Sequence, residues 1–186
     1  MFLGTIRRLF NRGRLNKNSF SNYYEDILIK DGLVVILIDM QQIFLDGLKK
    51  KNRERIIANQ IFIIRWCAQE NIPVVVLEYR GSGETIDVLA KELKKIEDLR
   101  IILKSYDNGF YYTELKDVLE ERNAKNLFLM GINASACVKR TAIGAREEGF
   151  SIITSNDVIG GNNDDNSISW YVENGIVVFT KGSTKA

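Results

Sequence analysis

Six short apolar runs, separated from one another by stretches of helical character, constrain the fold of this chain more than anything else in it. The first, LVVILIDM over 33–40, is continuous rather than alternating, and the others fall at 73–78, 100–104, 126–130, 151–155 and 176–180. Runs this short are of strand length, and unbroken apolar character means burial on both faces. Helices are predicted over 53–70, 86–95, 113–122 and 136–148, with a weak one after the polar stretch near 161–168. Strands separated by helices in this way make a parallel sheet covered on both sides, an α/β architecture. Ligands of such sheets bind beyond the carboxyl ends of the strands, so chemistry is expected just after each apolar run.

Three residues occupy such positions. Asp39 ends the first run, Lys104 ends RIILK (100–104), and Cys137 lies where NLFLM (126–130) and Gly131 give way to a small-residue helix closed by Gly149. A helix start concentrates unpaired N–H groups and the positive end of the helix dipole, and both favour a thiolate over a thiol. An unassisted cysteine is mostly a thiol at neutral pH, with a pKa of ~8.5. The helix start and the Lys104 ammonium are therefore expected to lower the value for Cys137. Asp39 can take the thiol proton and return it to a leaving amine. Each residue also has an ordinary reading: a small buried hydrophobe for Cys137, a cap for Asp39, a surface charge for Lys104. Cys67, on the amphipathic helix FIIRWCAQE, reads as core.

The histidine count is zero, which excludes Ser-His-Asp and Cys-His catalysis and every histidine-containing zinc motif. Two cysteines in a chain of cytosolic character argue against a disulfide framework and cannot make an all-thiolate zinc site. No apolar run approaches the ~20 residues that span a bilayer. The arginines of MFLGTIRRLFNRGRLNK lie inside and after its apolar residues, unlike a secretory signal. A cytoplasmic location is the expectation. Residues 1–30 read as a basic arm and linker, and 31–186 as the folded domain. The arm carries Arg7, Arg8, Arg12, Arg14 and Lys17 without an acid in its first 20 residues, so the net charge of +2 resides there. Phe2, Leu3, Ile6, Leu9 and Phe10 share one helical face. That face either packs on its own or a neighbouring subunit, or anchors the chain peripherally to an anionic membrane surface. No nucleic-acid partner is expected.

Three blocks together, ILIDMQQIF around Asp39, LKSYDNGFYYTEL after Lys104 and GINASACVKRTAIGAREEGF around Cys137, carry a resemblance. In order and spacing they resemble the isochorismatase-like cysteine hydrolases, the superfamily that includes nicotinamidase and N-carbamoylsarcosine amidohydrolase, over roughly 33–180. The resemblance implies a three-layer α/β/α, Rossmann-like fold with a six-stranded, mostly parallel sheet. It implies a catalytic triad of Asp39, Lys104 and Cys137, an oxyanion hole from the backbone N–H groups of Asn133 and Cys137, and a cis peptide at Ile132–Asn133. The nicotinamidase branch carries a histidine-and-aspartate metal site after its second strand. Here that region, LEYRGSGETID over 77–87, has no histidine, so neither metal nor cofactor is expected.

The implied activity is metal-independent hydrolysis of a small amide, ureide or related C–N bond through a thioester. An isochorismatase-type vinyl ether hydrolase is a weaker alternative, because those enzymes lack the cysteine. A non-catalytic binding or scaffold protein on the same fold is another. Phe44, Tyr106, Phe110 and Ser135 are candidate pocket residues, with Tyr111 and Tyr112 in the same aromatic loop. Arg80 or Glu78 could hold a polar substrate group, although exposed charge is the usual case there. Gly81-Ser82-Gly83 lacks the Lys-Ser/Thr of a phosphate loop and reads as a flexible turn. Relatives of this fold commonly form dimers or tetramers, so a homo-oligomer is expected.

Overall fold

The structure, a computed structural model, describes residues 31–161 and 164–179. The N-terminal arm, with both readings of its apolar face, lies outside the described residues. Among the described residues the order is β1 (Leu33–Ile38), α1 (Gln42–Leu45), α2 (Lys50–Glu70), β2 (Val74–Tyr79), α3 (Asp87–Leu93), β3 (Leu99–Lys104), α4 (Leu115–Glu121), β4 (Asn126–Ile132), α5 (Cys137–Glu147), β5 (Ser151–Gly160), α6 (Asp164–Glu173) and β6 (Val177–Phe179), the strand and helix order the sequence predicts with the short α1 added. The sheet order is β3-β2-β1-β4-β5-β6, and every pairing is parallel. The chain runs outward from β1 to β3, then returns to lay β4 beside β1. The order therefore reverses between β1 and β4, the place where open α/β sheets form a crevice.

These two central strands are buried along nearly their whole length, which is why their sequences are unbroken apolar runs. The edge strand β3 differs. Ile101 is 53% exposed and Leu103 47%, while Ile102 and Lys104 point inward. The last residue of this half-covered strand is thus the one polar group it sends into the interior.

Strand β5 is about twice the predicted length, and the reason lies in α2. The pairing of β4 with β5 shifts register between Leu129 and Gly131 and then resumes at Gly131↔Ile159 and Ile132↔Gly160. The intervening Asn156 and Asp157 hide the strand in the sequence because they are polar. Arg55 and Asn59 donate to the carbonyls of Asn156 and Asp157, and buried Gln60 donates to that of Val158 at 2.9 Å. Side chains of α2 thus satisfy backbone groups that the register shift releases.

Gly131 sets how closely β1 and β4 approach at their carboxyl ends. Its φ is +142°, and an added Cβ would collide with the backbone of Ile38. Gly131→Ala should lower the unfolding free energy by about 2–4 kcal/mol, through overpacking against backbone that cannot move aside. Urea denaturation of the purified variant checks this. A midpoint within error of the parent would show that the strand ends relax freely.

Candidate active site

Asp39, the residue after β1, adopts φ +52°, a left-handed conformation that non-glycine residues rarely take. Strain of this kind persists where surrounding contacts over-determine it. Here the turn is fixed by Asp39 N–H donating to Leu77 O at 2.9 Å and by the next two residues. Ile86 N–H donates to Met40 O. Gln41, fully buried, accepts from Tyr79 N–H at 2.8 Å and returns a bond to Tyr79 O at 2.9 Å. The turn delivers a carboxylate that is 1% exposed, whose Oδ2 accepts from Lys104 Nζ at 2.7 Å. The ammonium also donates to Tyr106 O at 3.2 Å and lies 4.4 Å from the Tyr79 ring centroid. Burial raises the Asp39 carboxyl above its ordinary range, and the Lys104 charge opposes that shift.

Cys137 is the first residue of α5 and is 7% exposed. Its thiol lies close enough to Asp39 for each to affect the other's ionisation, yet among the described residues hydrogen-bond geometry is met at Asp107 Oδ1, 3.4 Å from Sγ. Asp39 Oδ1 is left buried with no partner among the described residues. The thiol's pKa is raised, not lowered as the helix start and Lys104 led one to expect. Burial is the first cause and the negative charge of Asp39 the second, against a smaller opposing effect of Lys104. The lysine charge is already matched by a carboxylate at 2.7 Å, so little of it reaches the sulfur.

The turn between β4 and α5 holds the backbone donors. The Ile132–Asn133 peptide is cis, as the resemblance implies. Asn133 O accepts from both Ala136 and Val138 N–H at 3.1 Å, and Ala134 N–H donates to Gly160 O at 2.8 Å. The N–H groups of Asn133 and Cys137 have no acceptor among the described residues. Ala136, the N-cap of α5, supplies no side-chain bond that would occupy the helix start. Tyr171 of α6, fully buried, donates its hydroxyl to Ala134 O at 2.6 Å and fixes the turn from the other side.

Of the candidate pocket residues, Phe44 is half-buried, edge-on to Tyr79 at 6.0 Å. Tyr106 is exposed and packs against Tyr111 at 4.9 Å and Tyr112 at 5.8 Å. Ser135 is exposed on the β4–α5 turn. Phe110 stacks on Phe150, beyond the far end of α5, so it packs along that helix away from the thiol. Glu78 is not an exposed charge: it is 6% exposed and its Oε1 accepts from Thr85 N–H at 2.7 Å and Thr85 Oγ1 at 2.8 Å. Gly83 O accepts from Gln41 Nε2, so the glycine turn is tied down rather than loose. The 77–87 segment is thus held by Gln41 and Glu78. Its residues do not fit the metal of the nicotinamidase branch: there is no histidine, Glu84 and Asp87 are exposed, and Glu78 is engaged by Thr85.

Three contributors escaped the sequence reading. Asp107 reads as an ordinary solvated loop acid, Thr141 as a helix residue, and Tyr171 as part of a weak helix. Only Asp107 left a signal, as a carboxylate inside the block after Lys104.

Residues 33–172 match the isochorismatase domain family. A secreted isochorismatase effector of Verticillium dahliae is 26% identical over 136 residues, covering 68% of this chain and 72% of the effector. Among solved structures, a nicotinamidase of Staphylococcus aureus superposes with a TM-score of 0.73 at 18% identity, covering 81% of this chain and 98% of its own. An N-carbamoylsarcosine amidase of Thermoplasma acidophilum gives 0.72 at 20% identity, with 84% and 100% covered. The match over most of the folded domain, on a six-stranded parallel sheet of this order, establishes that the chain belongs to the isochorismatase family of hydrolases.

Proposed function

We propose that the protein is a metal-independent cysteine hydrolase of a small amide, ureide or related C–N bond. Cys137 is the nucleophile, Asp39 the proton shuttle, and Lys104 the counter-charge that lets the carboxylate stay ionised in the interior. One observation carries the reading: Asp39, whose ionisation is linked to the Cys137 thiol, has one carboxylate oxygen bound to Lys104 and the other buried without a partner among the described residues. A buried acceptor without a donor is costly, and a proton from Cys137 would satisfy it. Two structural neighbours are named for amide substrates, nicotinamide and N-carbamoylsarcosine, which supports the choice of bond.

In this mechanism the Cys137 proton passes to Asp39 Oδ1 as the sulfur attacks the substrate carbonyl carbon. The oxyanion that forms is held by the N–H groups of Asn133 and Cys137, donors commonly worth several kcal/mol at such a site. Collapse breaks the C–N bond, and Asp39 returns the proton to the departing amine. Water then attacks the thioester, giving its proton to Asp39, and the acid product leaves as the thiol is restored. The raised carboxyl of Asp39 suits this work, because a carboxylate that holds its proton more tightly is the better base. The two free cysteines suit a reducing compartment, so we place the enzyme in the cytoplasm. No described helix is long and apolar enough to cross a membrane.

A panel of small primary amides and ureides, read by ammonia release, tests the activity. Cys137→Ala should abolish turnover and with it the acyl-enzyme detectable by mass spectrometry. Turnover that survives this substitution would overturn the nucleophile assignment.

Asp39→Asn should lower kcat by about 10²–10⁴-fold, the usual contribution of a positioned acid–base group. The same substitution should make Cys137 react faster with iodoacetamide at pH 8, because it removes a negative charge that holds the thiol up and frees the Lys104 ammonium. In the parent protein, labelling of Cys137 should climb steadily above pH 8 rather than level off near neutrality, since burial and Asp39 both raise its pKa. A parent labelling curve that saturates below pH 7.5, near the range of activated thiols, would contradict the proton-sharing arrangement.

Activity should be unchanged by prolonged chelation and dialysis. Loss on chelation, restored by zinc or manganese, would show that a metal takes part.

A further inference from the structure

Asp107 is held beside the nucleophile by a dedicated set of contacts. Thr141, one turn after Cys137 on α5, accepts from Gly109 N–H at 3.0 Å and donates to Asp107 O at 3.3 Å. One turn further, Gly144 lies so close to Asn108 that a Cβ there would collide with its amide. Asn108 in turn accepts from Phe110 N–H at 3.0 Å. Residues 107–110 are therefore latched to the same face of α5 that carries the thiol, the i, i+4, i+7 positions. The latch brings an exposed carboxylate to 3.4 Å from Sγ.

A carboxylate at that place hinders thiolate formation and adds to the negative charge facing the sulfur. The Lys104 charge is taken up by Asp39 at 2.7 Å, and among the described residues no cation lies within ion-pair distance of Asp107. A substrate seated over Sγ must displace water from Asp107. That desolvation is unfavourable unless the substrate supplies an N–H donor or a positive charge in its place, and a substrate carboxylate would be repelled.

We propose that Asp107 determines substrate specificity: the site takes a small amide or ureide bearing an ammonium or guanidinium group close to the scissile C–N bond, and discriminates against anionic ones. This deepens the hydrolase reading and rests on Cys137 being the nucleophile.

Charge selection at the thiol is measurable without knowing the substrate. Three methanethiosulfonates, 2-aminoethyl (cationic), methyl (neutral) and 2-sulfonatoethyl (anionic), each react with a thiolate to form a mixed disulfide and release methanesulfinate. Cys67 is fully buried, so the modification followed is that of Cys137. The ratio of cationic to neutral rates cancels the fraction of thiolate and reports the local field. That ratio should fall about fivefold in Asp107→Asn, the scale expected of one partly solvated charge. In the parent protein it should also shrink as ionic strength rises. A ratio unchanged by Asp107→Asn, or a parent protein that reacts as fast with the anionic reagent as with the cationic one, would overturn the proposal. Neither result depends on amide turnover, so a failed hydrolase assay and a failed charge selection are separate outcomes. Among amides the protein hydrolyses, Asp107→Asn should raise KM for cationic members more than for neutral ones, by about the same fivefold. Equal effects on both would assign Asp107 a structural role only.

Discussion

The Asp39–Lys104 ion pair is the constraint on which the rest of the site depends. Both side chains are excluded from water, at 1% and 0% exposed. Removing one partner of such a pair typically costs about 3–5 kcal/mol because the other is left charged and unpaired. The two residues belong to strands that do not touch. Strand β2 runs between them, so the pair forms only if β1, β2 and β3 hold register, with Ile38 opposite Leu77 and Tyr79 opposite Lys104. Tyr79 fills the gap, with its ring under the ammonium and its backbone gripped by Gln41. A slip of one residue would turn Lys104 to the outer face of β3, beside Ile101 and Leu103. The ion pair is therefore a check on the register of half the sheet as well as the centre of the proposed chemistry.

The other half of the site is held by loops rather than by strands. Tyr171 and Gly160 grip the Ala134 peptide from two sides, while Thr141 binds the loop that brings Asp107 to the thiol. Strands fix the buried charges, and side chains on α5 and α6 fix the turns around Cys137. Gly131 joins the two halves, since only a residue without Cβ lets β4 end against Ile38 and place Cys137 near Asp39.

The fold was legible in the sequence, and the candidate site residues could be picked out, because both are written in continuous apolar runs and in the residues at or just beyond their carboxyl ends. Asp39 follows β1, Lys104 ends β3 and Cys137 opens the helix after β4, and the structure brings the three side chains together. The extension of β5 was not legible, because Asn156 and Asp157 look like a loop until Arg55, Asn59 and Gln60 are seen to bind their backbone and that of Val158. Glu78 was not legible either: its burial depends on Thr85 folding back seven residues later. The sign of the thiol's pKa shift was misjudged for a related reason. Sequence places an ammonium near the sulfur but does not reveal that a carboxylate has already paired with it. Asp107 is the same kind of case, since a loop acid acquires meaning only from the latch that orders it.

A thiol with a raised pKa is consistent with cysteine catalysis when the count of buried charge is considered. At rest the cluster holds Asp39 negative, Lys104 positive and Cys137 neutral, which balances. Ionising the thiol to solvent would add an uncompensated charge to a buried site, and that is what the raised value reflects. Moving the same proton to Asp39 leaves the total unchanged, since the carboxyl becomes neutral as the sulfur becomes negative. Lys104 then has the sulfur as its counter-charge in place of the carboxylate. The raised carboxyl of Asp39 makes it a better acceptor for that proton than an ordinary carboxylate would be. Such a site would generate its nucleophile only as a substrate carbonyl arrives to accept the electron pair, and would keep it protected as a thiol in between.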